Sequence, residues 1–179
     1  MRTLTSALCL IIALSTSSQG LTEPLDDVIN KGNRLVEAVS SNATVDLRQF
    51  ENTRDIRRYL SANRCRGLNY EAYLLESGDQ QTLYLVGSRS GHVIIGRHFK
   101  APVIGNAVDV ESFESSTRTC LDLGPVPENV AALMASHLAP EPNEFHFLQS
   151  VIHDVDLFVA AGNGLYKVSE GSIKLSERE

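Results

Sequence analysis

The chain is poor in several things that usually announce a function. Its 179 residues include only three cysteines, with no Cys-x-x-Cys pair, so the spacing of a dithiol redox centre is absent. No apolar run approaches the roughly 20 residues that a membrane-crossing helix needs. No arginine- or lysine-rich tail is present, and acidic residues outnumber basic ones by 22 to 16, for a formal net charge of -6. A charge of that sign argues against nucleic acid or an anionic membrane as a general partner, a local basic patch apart.

Catalytic signatures are missing in the same way. Gly87-Ser88-Arg89-Ser90-Gly91 places Arg89 where a nucleophile elbow needs serine, and reads as a hairpin turn. Gly162-Asn163-Gly164 lacks the third glycine and the following helix that phosphate cradling requires. Leu157 to Val168 has the look of one propeller blade, but the pattern occurs once and so implies no repeat architecture. Nothing in the pattern calls for a cofactor.

What is there begins with a leader. Arg2 in a short polar head, an apolar run of about 8 residues over positions 7–14, and small polar residues up to Gly20 have the order of a secretory signal peptide. Cys9 falls inside the apolar run and leaves with it. The expectation is a secreted or periplasmic protein folding as one domain over residues 21–179. Without Arg2 the basic count drops to 15 and the net charge becomes -7. Cys65 and Cys120, the two remaining cysteines of an exported chain, are expected to form a disulfide. Closing a loop of that size stabilises a fold by roughly 4 kcal/mol in the chain-entropy model. Asn42-Ala43-Thr44 is formally a glycosylation acceptor, with a plain polar loop as the alternative.

Between the two cysteines the pattern predicts strands over 70–77, 82–88 and 92–98, each rich in Tyr, Leu, Val and Ile and separated by glycine-bearing turns. Leu83-Tyr84-Leu85-Val86 is apolar without alternation, which places it mid-sheet with cover on both faces. Residues 99–106 read as a crossing loop, and 107–123 as one or two edge strands. Helices are expected over 25–39 and 53–62. Gly32 falls on the apolar stripe of the first, where it allows close approach. A third helix is expected over 127–138, begun by Pro127 and stopped by Pro140 and Pro142. Extended segments are expected at 144–152, 156–160, 165–169 and 172–176, with a tight turn at Asn163-Gly164. The sum is an α+β fold: a largely antiparallel sheet of two meanders packed with two N-terminal helices and one later helix, crosslinked once.

Two candidate sites emerge. Arg54, Arg57 and Arg58 lie opposite Ile56, Tyr59 and Leu60 on the second helix, and Arg64 and Arg66 flank Cys65. Five arginines within 13 positions of an acidic chain read either as a solvated face or as a partner-docking face, since arginine forks suit carboxylate and phosphate. The other candidate is a composite of His146, His153, Asp154 and Asp156, which would serve an extracytoplasmic hydrolase. If 144–152 is a strand, however, His146 and His153 have opposite parity and face apart. His137 reads as a core histidine of the third helix. No metal site is expected. The functional expectation is a non-enzymatic binding protein, of inhibitor or immunity type, acting on another protein or an anionic ligand.

Overall fold

The computed structural model describes residues 24–177, and the leader expected over residues 1–20 lies outside them. The fold is α+β, with three helices, two main sheets and a Cys65–Cys120 disulfide.

The first sheet is antiparallel. Strands β1 (Asn69–Ser77) and β2 (Gln80–Ser88) form a hairpin in the register Asn69↔Ser88. Strand β3 (His92–Ile94) then leaves the sheet, and β4 (Phe99–Ile104) returns to pair with β2 at Leu83↔Ala101. The short strands β5 (Ala107–Val108) and β6 (Glu114–Ser115) both add to β4. Strand β7 (Asp122–Pro125) pairs with β3 as a separate ribbon. The second sheet runs β11-β10-β9-β8, from β8 (Ala132–Ser136), β9 (Asp156–Ala161), β10 (Gly164–Ser169) and β11 (Ser172–Glu177). Its β9-β10-β11 part is the expected second meander, whereas β8 joins β9 in parallel.

Side-chain parity sets the layers. Leu83 and Leu85 of β2 face α2 (Thr53–Asn63) and pack with Ile56 and Phe99, while Tyr84 and Val86 point the other way against Leu35, Phe145 and Leu148. All four β2 residues are buried, so the unalternating apolar run does have cover on both faces. Leu35 belongs to α1 (Leu25–Ser40), and Phe145 and Leu148 to α3 (Glu144–Ile152). The same two helices contribute Val28 and Phe147 to a second core against Leu157, Val159, Tyr166 and Val168 of the other sheet. Helices α1 and α3 therefore form the layer between the two sheets. They approach closely because Gly32 is bare: a Cβ there would lie 2.6 Å from Cδ1 of Phe147.

The position of the third helix corrects the sequence reading. Residues expected to be helical around 127–138 contain strand β8, and residues 144–152, expected to be extended, are α3. Both errors come from periodicity. Residues 144–150 are all buried, so α3 shows no polar stripe, and a helix covered all round has no amphipathic period to read. In β8, Leu133 and Ala135 point to the core while Met134 and Ser136 are exposed, an alternation hidden among residues that also fit a helix. Parallel pairing with β9 overrode local preference, and α3 supplies the crossover that such pairing requires.

The prolines precede the helix rather than stop one. Asn143 accepts from the N–H groups of Phe145 and His146, at 3.1 and 3.3 Å, and Nδ1 of His146 accepts from the Asn143 N–H at 3.1 Å. This reciprocal cap closes the N-terminus of α3. Immediately beside it the carboxylate of Glu144, with no exposure, pairs with Lys100 Nζ of β4 at 2.8 Å and accepts from the Tyr84 hydroxyl at 3.3 Å. The third strand of the first sheet is likewise displaced: the crossing loop expected at 99–106 contains β4, and the segment expected to be a strand over 92–98 breaks after Ile94.

Candidate functional site

Helix α2 turns its apolar side inward as expected. Ile56 is fully buried, Tyr59 and Leu60 are half-buried, and Arg54, Arg57 and Arg58 are exposed on the opposite side. Arg58 lies 3.3 Å from Asp55, while Arg54 and Arg57 make no ion pair among the described residues. Arg57 borders a groove of about 340 Å³ that also holds Asp46 and Glu71. There Arg48 hydrogen-bonds Asp46 and holds its carboxyl down to about 2. This groove carries both signs of charge.

The crosslink gathers a second set of arginines. The Cα atoms of Cys65 and Cys120 are 5.7 Å apart, which brings the loop bearing Arg118 to the segment bearing Arg64 and Arg66. All three are exposed. The loop is shaped by the break in the first meander. Ile95 and Gly96 donate their N–H groups to the Leu121 carbonyl at 2.9 and 3.1 Å, and Ser116 donates to the His98 carbonyl at 2.8 Å. Residues 117–120 are thereby looped out between the two anchor points. Gly96 is required here, because a Cβ would sit 2.3 Å from the Leu121 nitrogen and 2.4 Å from the Thr119 carbonyl oxygen.

Arg97 occupies the turn with φ of 61°, a left-handed conformation that costs a non-glycine residue about 1–2 kcal/mol. Hydrogen bonds hold it there. Its N–H donates to Thr117 Oγ1 at 3.1 Å, and its carbonyl accepts from the Tyr70 hydroxyl at 3.0 Å. That hydroxyl itself accepts from the Cys65 N–H at 3.1 Å. The Arg97 guanidinium comes within 3.5 Å of Asn63 Oδ1, at the end of α2.

Beside this turn opens a cleft of about 640 Å³, lined by Arg97, Arg118, His137, Leu138 and the hydroxyl residues Ser115, Thr117, Thr119 and Ser136. No aspartate or glutamate among the described residues lines it. Neither arginine makes an ion pair among the described residues. Two guanidinium forks, the group that pairs with carboxylate or phosphate oxygens, share the cleft with the hydroxyls of Thr119 and Ser136, while the Ser115 and Thr117 hydroxyls already donate to the Thr117 and Thr119 carbonyls, at 2.6 and 2.5 Å. His137 adds no fixed charge, because burial pushes its imidazole down. Its ring stands edge-on to His146 at 4.7 Å. No family model, curated protein or solved structure matches this chain. The function therefore has to be argued from the geometry alone.

The histidine and aspartate candidates lie near one another along the chain without forming a working pair. His146 is buried in α3, accepts the Asn143 N–H at Nδ1, and leaves Nε2 without a hydrogen-bond partner. Burial, with a smaller effect of His137 and His98, pushes it down to about 3. His153 caps the C-terminus of α3, and Asp154 follows with φ of 48°. Asp156 is engaged by Lys167 at 2.6 Å. Among the described residues no hydrogen bond or ion pair joins either histidine to either aspartate. No group of three or more His, Cys, Asp or Glu side chains there is arranged to hold a metal ion.

Arg97 and Arg118 were not singled out from sequence. One signal for Arg118 was present: it stands two residues before Cys120, just as Arg64 and Arg66 stand beside Cys65, so pairing the cysteines also brings those arginines together. Arg97 had no such mark, because its role depends on a left-handed turn at a non-glycine position.

Proposed function

We propose that this chain is an exported, non-enzymatic binding protein that docks on an anionic surface of a partner protein, in the manner of an inhibitor or immunity protein. The carrying observation is the acid-free cleft holding Arg97 and Arg118, set beside Arg64 and Arg66 in a chain of net charge -6. Clustering like charge without local neutralisation costs stability through self-repulsion, which a complementary partner relieves. The exposed face of α2, with Arg54, Arg57 and Arg58, leads into this cluster through Asn63 and Arg97 and widens the surface available to the partner. Export is supported by the disulfide, which persists in oxidising compartments. No described helix is long and apolar enough to cross a membrane.

The experiment is capture of a stoichiometric partner by the mature protein from its own secretory compartment, followed by charge reversal. Arg97→Glu with Arg118→Glu should weaken the complex at least tenfold, as loss of desolvated charge-assisted contacts does. The triple change Arg54→Glu, Arg57→Glu and Arg58→Glu should chiefly slow association and reduce its salt dependence. Unchanged affinity in both variants removes the arginine surface as the docking site.

A further inference from the structure

Strand β8 is an edge strand of unusual composition. Among the described residues it pairs only with β9, and the His137 N–H donates to the Ala160 carbonyl at 2.8 Å. In a parallel ladder both backbone groups of a residue point to the same neighbour. Leu133, Ala135 and His137 therefore address β9, and the N–H and C=O groups of Ala132, Met134 and Ser136 point to the open edge. Folded proteins guard such edges with charges, proline or a covering segment. The other exposed edge of this sheet, β11, carries Lys174, and β1 of the first sheet is met by Val45, whose N–H donates to the Ala72 carbonyl at 2.8 Å. Positions 129–140 hold no Asp, Glu, Lys or Arg. Met134 is 64% exposed and Leu138 82%, so apolar side chains flank the free backbone groups.

The arginine cleft lies at the end of this edge. Ser136, the last residue of β8, lines it together with Arg97 and Arg118. We infer that β8 receives an extended acidic segment of the partner as a fifth strand of the sheet, with carboxylates of that segment seated on Arg97 and Arg118. This inference rests on the anion-binding reading of the cleft, and it adds the backbone conformation and the location of the bound segment. Strand addition supplies affinity through main-chain hydrogen bonds, and the charged pocket supplies selectivity. The charge complementarity favours an acidic segment over a second copy of β8, whose uncharged positions 129–140 would leave the two arginines unanswered.

The test uses a labelled peptide of alternating threonine and valine with two glutamates at each end, measured by fluorescence anisotropy on the intact disulfide-bonded protein. Binding is expected, with amide protection appearing at Met134 and Ser136 in hydrogen exchange. The same peptide with glutamines in place of glutamates should bind about tenfold more weakly or worse, and Arg118→Glu should cause a similar loss. Met134→Pro removes one outward N–H and leaves the β9 ladder intact, a placement that edge strands tolerate. It should abolish binding. A peptide N-methylated at alternate amides, in either register, should fail in the same way without any change to the protein. Equal binding of the N-methylated peptides overturns strand addition, and equal binding of the glutamine peptide overturns the seating on arginine. Self-association that disappears in Met134→Pro overturns the choice of occupant in favour of a second copy. Failure of every peptide also overturns the inference, while loss of the captured partner on reversal of Arg97 and Arg118 would still uphold the anion-binding surface.

Discussion

Acidification from pH 7 to pH 5 should destabilise this protein substantially through two histidines held neutral in the core. His98 accepts the Gly87 N–H at Nδ1, at 3.1 Å, and donates Nε2–H to the Ile94 carbonyl at 2.6 Å. Both nitrogens are committed to the neutral form, and burial pushes the group down to about 4. His146 is pushed down to about 3, again chiefly by burial, with His137 and His98 nearby. In the unfolded chain both titrate near 6.5. Between the folded and unfolded values the unfolded state binds more protons, so stability is fully present above about pH 6.5 and falls as the pH drops toward the folded values. At pH 5 each histidine should have cost about 2 kcal/mol, or about 4 kcal/mol for the pair, against a typical total of about 5–15 kcal/mol. His137 and His153, both lowered by burial, act in the same direction. Urea unfolding followed by far-UV circular dichroism measures this directly, and is the suitable probe because the chain has no tryptophan. A variant isolates the cause. His146→Gln keeps an acceptor for the Asn143 N–H, as in an ordinary capping box, but cannot take up a proton. It should remove roughly half of the loss. A variant whose stability falls as steeply as the parent's between pH 7 and pH 5 would refute the assignment.

Two further changes test how the layers are held. Lys100→Met strands the Glu144 carboxylate, which has no exposure, takes the Lys100 ammonium at 2.8 Å and accepts from the Tyr84 hydroxyl at the longer distance of 3.3 Å. Removing one partner of a buried pair costs about 3–5 kcal/mol, and the double change with Glu144→Gln should recover much of it in denaturant titration. Gly32→Ala drives a methyl group toward the Phe147 ring, 2.6 Å from its nearest carbon. Overpacking of this kind costs about 1–3 kcal/mol, and a gain in melting temperature would show that α1 and α3 have slack between them.

Much of the fold was legible because local signals and tertiary context agreed. The β9-β10-β11 meander, the burial of Leu83 to Val86 and the inward stripe of α2 all follow from alternation, turn residues and amphipathic spacing. Gly32 was readable as a close approach because it interrupts an apolar stripe. Legibility failed at α3 and β8, which meet opposite limits of the same signal. A helix buried on every side carries no polar face, and a strand joined in parallel through a crossover depends on partners over 20 residues away.

The arginines of α2 could be found from spacing because a helix places its own neighbours at i+3 and i+4. Arg97 and Arg118 are 21 positions apart in the chain and meet only because 117–120 bulges from the strand ladder. That bulge has three independent supports: the bare Cα of Gly96, the Thr117 hydroxyl holding Arg97, and the disulfide holding Cys120. The disulfide thus has two physical consequences. It restricts the unfolded chain, which accounts for its stabilising effect, and it fixes the loop that carries Arg118 against the end of α2. Reduction should accordingly loosen the arginine cleft before it unfolds the two sheets, since none of the three core clusters around β2 and β9 includes Cys120.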